Sequence, residues 1–287
     1  MEHHLTLTAG ADRACVDVAH GGRLAALVAG GADRLLAAEQ SAAPERVGWG
    51  CFLMVPWPGR LAAAAVPWDG VEHPVPATWG RHAIHGVGLD AAWRVTDHSE
   101  RHVRLACDLA DGGWPLGGGV EQQVELAPGR LTCTAVVTAG TQAMPAALGW
   151  HPWFRRPDSG DLVVEVDADA VLATDDDLLP DGRTVPVTGP LDLRGGVALG
   201  DRRLDDAYVA VREPARVLWP DLELTIETDL PAPCYVVHTP PSGACVEPQS
   251  AWPNALRLAD PRAAGVRWLA PRTALTAACT WRWSPRT

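Results

Sequence analysis

The sequence predicts an all-β protein, a large antiparallel two-sheet β-sandwich with residues 1–287 forming one domain. Three observations point there. Apolar residues recur with period two in successive short runs, long helical periodicity is scarce, and 28 glycines and 25 prolines supply many turns. Ala/Leu-rich 24–38 is a candidate helix, although Gly30 and Gly31 interrupt it. Val103, Leu105, Cys107 and Leu109 share one face opposite Arg104 and Asp108, the pattern of a half-buried strand. Glu121, Gln123 and Glu125 alternate with Val120, Val124 and Leu126, and Pro128-Gly129 turns this run into an alternating strand over 131–138. Residues 163–171 alternate again, with a turn signal after them at Asp181-Gly182. Val217-Leu218-Trp219, Pro220-Asp221 and the 222–228 run read as a further hairpin.

Composition narrows the partners. The formal net charge is −11, which argues against nucleic acid or an anionic membrane as the main partner. All 24 basic residues are arginine, a compositional bias and no sign by itself of phosphate binding. Seven scattered cysteines, never in a C-x-x-C pair, predict buried thiols in a reducing compartment, with neither a disulfide framework nor a Cys-rich zinc site. The N-terminal residues lack a basic, then apolar, signal pattern, and no stretch is apolar enough to span a bilayer, so a cytoplasmic protein is expected.

Four short elements stand out from this β background. They are Gly149-Trp150-His151-Pro152-Trp153-Phe154, Cys245-Val246-Glu247-Pro248-Gln249-Ser250, Ala83-Ile84-His85-Gly86 and Pro56-Trp57-Pro58-Gly59-Arg60. Singly, each has a structural reading: a hydrogen-bonded histidine, a loop carboxylate, or a surface arginine packed on Trp57. Most of the thirteen tryptophans are expected to fill the core.

In order and local context, these elements together resemble the aldose 1-epimerase (mutarotase) family. His151-Pro152-Trp153-Phe154 is similar to the family's His-Pro-aromatic-aromatic element, and Glu247-Pro248 with Pro253-Asn254-Ala255 to its Glu-Pro element. Ile84-His85-Gly86, Arg60 and the Asp205-Asp206-Ala207-Tyr208 stretch match further motifs. The resemblance implies the family's large β-sandwich and an enzyme that interconverts the α and β anomers of an aldose without a cofactor or metal. It implies Glu247 as base and His151 as acid, and substrate binding by Arg60, His85 and Asp205, with Asp206 an alternative to Asp205 and a share in the acid role an alternative for His85. The sequence departs from the family at Gly59, where asparagine is usual, and at Trp153, where tyrosine is common.

The implied chemistry suits these residue types. Opening a cyclic hemiacetal removes a proton from the anomeric hydroxyl and delivers one to the ring oxygen, and a carboxylate and an imidazole can do both. Side chains on opposite sides of the sugar would stand about 5–8 Å apart if each reached its ring substituent in hydrogen-bond range. Trp57, Trp68, Trp79, Trp153 and Trp252 are candidates for covering the apolar side of the sugar. Competing readings are a metallohydrolase using His85, His151 and Glu247, a non-catalytic carbohydrate-binding or regulatory domain, and a hexose-6-phosphate mutarotase. The last would need a cationic cluster, for which Arg81, Arg155 and Arg156 are available. A neutral free aldose is the expected partner, with the oligomeric state open.

Overall fold

The computed structural model describes residues 4–41 and 46–286. Eighteen strands join one hydrogen-bonded sheet system, and three two-stranded ribbons lie beside it. The helical elements among the described residues are six 3-10 turns of three or four residues. None of the helices is long and apolar enough to cross a membrane. The all-β expectation therefore holds.

The alternating runs become strands for the reason their pattern suggests. In the Gly119–Ala127 and Arg130–Thr138 hairpin, Val120, Val124, Leu126, Leu131, Cys133, Ala135 and Val137 are buried, and the charged positions Glu121 and Glu125 are exposed. The second strand continues the sheet through Ala274–Pro285. Val103, Leu105 and Cys107 likewise point inward from His102–Asp108, while Leu109 starts a 3-10 turn. The largest fully buried side chains include Trp150, Trp219, Trp281, Tyr208, Tyr235 and Phe154. The Phe154 ring lies 5.8 Å from Trp219 and 5.4 Å from Trp281. Trp150, Tyr208, Tyr235 and Phe154 come from the strands that carry the site and bury their rings in the core on the opposite side.

Two sequence expectations change. Residues 24–38 form strands Arg23–Ala29 and Ala32–Asp33, followed by the Ala38–Gln40 turn, and not a helix. Gly30 and Gly31, both at positive φ, supply the hairpin turn between the strands. Asp181-Gly182 lies within strand Pro180–Pro186; the reversal comes earlier, where the Asp175 carboxylate accepts from the Asp177 and Leu179 amides. All seven cysteines are free, and six are buried.

Two buried arginines tie loops to the sheets. Arg34 forms a fork to Asp221 at 3.0 and 2.6 Å, joining the first hairpins to the turn before Leu222–Thr228. Arg23 donates to the carbonyls of His20, Trp49 and Arg46, and burial pushes its pKa down to about 10.

The connection that carries His85 is set by close backbone approach. Gly86 has φ +71°, and a Cβ there would stand 2.0 Å from the Val55 carbonyl oxygen. That same oxygen accepts from the Val87 and Gly88 amides at 2.8 and 3.0 Å. Gly86→Ala is expected to destabilise the protein by at least about 1–3 kcal/mol, because both the conformation and the contact are lost. Urea unfolding measures this; a change under about 0.5 kcal/mol would contradict the account.

Candidate active site

The site grows out of strand register. Five strands carry it: Cys51–Met54, Gly149–Arg155, Asp205–Leu218, Cys234–His238 and Gly243–Gln249. Side chains alternate between the two faces of a strand. Trp150, Phe154, Tyr235, Val237, Ala244 and Val246 face the main core. The opposite face presents two neighbouring rows. In one, His151 pairs with Phe52 on one side and meets Glu247 on the other, and Glu247 pairs with Val236. Two residues along, the next row runs Trp153, Cys245, His238, Asp205. A wall from another part of the chain stands over these rows. There Arg60 pairs with Ile84 across a two-stranded ribbon, bringing Arg60 and His85 together. The His85 amide donates to the Gly59 carbonyl at 2.9 Å, and its backbone is left-handed at φ +61°.

Arg60, His85, His151, Asp205 and Glu247 thus line one cavity of about 170 Å³, with Trp79, Trp153, His238 and Gln249 among its other lining residues. A larger open groove of about 1060 Å³, with Trp68 and Trp268, contains none of the five. Of the candidate tryptophans, Trp79 and Trp153 line the site, while Trp57 and Trp252 line a small adjoining cleft. Asp205 and Asp206 are also told apart. Asp205 lines the cavity and accepts from Arg60 Nη2 at 2.8 Å; the Asp206 carboxylate accepts the Asp205 backbone amide.

His151 Nε2 lies 3.3 Å from Glu247 Oε1, and both residues are buried. The expected separation of 5–8 Å across a sugar is therefore wrong. The two residues face each other on adjacent strands, so their side chains touch and share one wall. The chemistry tolerates this, because the anomeric oxygen and the ring oxygen are bonded to the same carbon. Groups addressing both need to be close together.

Aromatic rings hold the histidine. His151 stacks on Phe52 at 4.7 Å and 23° and on Trp153 at 5.6 Å and 15°, and the His85 ring meets it edge-on at 4.7 Å. The Trp153 indole N–H donates to the Val47 carbonyl at 2.5 Å, which fixes the plane of that stack. Gln249 Nε2 donates to Glu247 Oε2 at 3.1 Å, leaving Oε1 toward His151.

Burial dominates the electrostatics. It raises the Glu247 carboxyl well above its ordinary 4.5, with a further push from Asp205, and Gln249 and Arg60 oppose the rise. It lowers His151 and His85 well below 6.5. Both shifts favour the uncharged forms, a protonated Glu247 and a neutral His151, while contact between opposite charges pulls toward the ionised pair.

His85, His151 and Glu247 offer ligand atoms within 4.8 Å of one another, a donor set that zinc also uses. Metal-bound imidazoles are oriented by a hydrogen bond from their second ring nitrogen. His151 meets Glu247 through Nε2, and its buried Nδ1 has no hydrogen-bond partner. The arrangement suits proton exchange better than a resident metal.

His238 and Gln249 were missed as individual site residues. Gln249 stood in the Glu-Pro element, and its even spacing from Glu247 on a strand was the available signal. His238 gave less warning, since its place depends on pairing with Asp205 far away in sequence.

Comparison with known proteins follows the same line. The aldose 1-epimerase family model matches residues 3–259. YphB, an uncharacterised protein of Escherichia coli K12, is 26% identical over 192 residues, 65% of this chain and 65% of YphB. Galactose mutarotase of Sus scrofa is 31% identical over 152 residues, 49% of this chain and 44% of that protein. The chain thus matches less than two thirds of the length of each of these relatives. The crystal structure of a candidate aldose 1-epimerase from Escherichia coli K12 shares the fold, with a TM-score of 0.87 at 23% identity and 99% of both chains covered. With the family model matching most of its length, the chain belongs to the aldose 1-epimerase family.

Proposed function

We propose that this protein is an aldose 1-epimerase acting on a neutral free aldose, with the whole chain working as one unit. The observation that carries the reading is the buried Glu247–His151 contact inside a cavity of about 170 Å³ that Arg60, His85 and Asp205 also line. The pair holds one proton. Shifting it from Glu247 to His151 across 3.3 Å gives a carboxylate and an imidazolium. The Glu247 carboxylate then accepts the proton of the anomeric hydroxyl, and the His151 imidazolium donates to the ring oxygen. The C1–O5 bond breaks as the C1=O1 double bond forms. Rotation about C1–C2 presents the other carbonyl face, and closure returns both protons by the reverse transfers. A binding module has no need of such a pair, which sets the non-catalytic reading second.

The surrounding groups support the same reading. Arg60 Nε, the Nδ1 atoms of His85 and His151, and Gln249 Oε1 are buried without hydrogen-bond partners. A sugar offers hydroxyl donors and acceptors together, so it can satisfy both kinds. Arg60 and Asp205 hold the distal hydroxyls, and His85 hydrogen-bonds near the ring oxygen.

Charge favours a neutral substrate. Arg60 lines the cavity already paired with Asp205. Arg81 bonds Asp177, Arg155 bonds Asp158, and Arg156 donates to the Gly200 carbonyl, so the three candidates for a phosphate site are engaged elsewhere and do not line the cavity.

Glu247→Gln should lower kcat for anomerisation by roughly 10²–10⁴-fold while retaining sugar binding, and His151→Asn should do the same. Polarimetry or NMR exchange on D-glucose and D-galactose measures the rates; near-full activity of Glu247→Gln would overturn the assignment. Direct competition should favour each free sugar over its 6-phosphate, and a tenfold preference for the phosphate would reverse the substrate reading.

The same variant should be more stable than its parent. A carboxyl whose folded pKa is raised contributes most below its unfolded value, and that contribution falls as pH rises toward the folded pKa. The gain in Tm from Glu247→Gln should therefore widen above about pH 4.5, where the parent's unfolded state ionises. Thermal unfolding across pH 4–8 measures it; a gap that narrows with pH would contradict the raised carboxyl.

A further inference from the structure

His238 stands where neither the sequence motifs nor the proposed proton transfers require a histidine. It ends strand Cys234–His238, opposite Asp205 on one side and Cys245 on the other. From Glu247 it lies one strand over and two residues along, roughly 8 Å between backbones on the usual sheet spacings. That puts it between the reacting pair and the Arg60–Asp205 pair.

Its ring is held but not satisfied. Trp153 meets it edge-on, with centroids 5.7 Å apart and planes at 87°. Nδ1 is buried without a hydrogen-bond partner, and Asp205 Oδ1 is 3.8 Å away, beyond hydrogen-bond range. Burial, reinforced by Arg60, lowers its pKa, while Asp205 and the Leu204 backbone pull the other way. Asp205 Oδ2 is engaged by Arg60, so Oδ1 is the oxygen turned to His238. A carboxylate oxygen and an imidazole nitrogen too far apart to bond each other are spaced to grip neighbouring hydroxyls on one sugar.

We infer that His238 is a specificity-determining residue that reads, together with Asp205, a hydroxyl on the sugar edge between the anomeric carbon and the Arg60–Asp205 pair. This rests on the sugar reading above. Its counterpart on the other wall is Gly59, where a Cβ would stand 2.7 Å from Pro253 Cβ. A side chain cannot reach into the cavity from there without moving Pro253, so recognition on this chain shifts to the sheet side, where His238 stands.

The test pairs side-chain deletion with hydroxyl deletion. Anomerisation of D-glucose, D-galactose and their 2-, 3-, 4- and 6-deoxy analogues is measured by NMR exchange for the parent, His238→Ala, His238→Asn and His238→Phe. His238→Ala should raise KM about 5–50-fold with kcat falling less than about threefold, the signature of lost uniform binding. One ring-hydroxyl deletion that costs the parent about tenfold in kcat/KM should cost His238→Ala about twofold or less. His238→Asn keeps a donor and an acceptor and should recover part of the loss; His238→Phe keeps the Trp153 contact and should not. Equal deoxy penalties in the parent and His238→Ala would overturn the inference, as would recovery by His238→Phe or a fall in kcat alone.

The same sugars are titrated calorimetrically into Glu247→Gln with and without His238→Ala. Binding without anomerisation by the parent would defeat the catalytic reading alone, with the deoxy pattern in binding still deciding His238. Failure of every sugar to bind would defeat both.

Discussion

The register between neighbouring strands is the constraint on which the site depends. A one-residue slip of Gly149–Arg155 would turn His151 and Trp153 into the core and send Trp150 and Phe154 toward the cavity. What prevents the slip lies on the far side of the sheet, where Trp150 and Phe154 are each at most 1% exposed. Moving those two side chains out of the core would forfeit on the order of 2–3 kcal/mol apiece in apolar burial. The hydrophobic face thereby aims the cavity-lining one, and no residue of the site needs to fix the register itself.

The second consequence is electrostatic. A strand grid puts ionisable side chains in contact while the aromatic residues around them exclude water, so proximity and desolvation arrive together. Burial therefore favours the uncharged forms of Glu247 and His151, although their proposed roles are written with charges. The proposed transfer moves a single proton along one 3.3 Å contact. Gln249 and Phe52, in the same sheet, keep the two groups in place while it does so.

Much of this was legible in the sequence, for reasons that differ by element. Alternation in 119–138 and 222–228 reports burial on one face directly, and a half-buried strand needs nothing else. The 24–38 segment misled because alanine and leucine suit either element, and the glycines that settle it act through a turn. Asp181-Gly182 misled because Asp175, six residues earlier, captures the turn amides first. At the site, the motifs named Glu247, His151, His85, Arg60 and Asp205, all of which line the cavity. The 3.3 Å contact was not legible, since it follows from which strands are neighbours. His238 was hidden for the same reason: its meaning lies in residues more than thirty positions away.

Cys245 sits in the grid between Trp153 and His238, fully buried, with its thiol pKa pushed well above 9, chiefly by desolvation. Sulfur at such a place is nearly always protonated and out of contact with dissolved reagents. The centre of the site is therefore chemically quiet toward peroxide, disulfide exchange and alkylating electrophiles. A covalent inhibitor of this cavity would have to find its nucleophile among imidazoles and carboxyls, and a cell under oxidative stress would leave this thiol untouched.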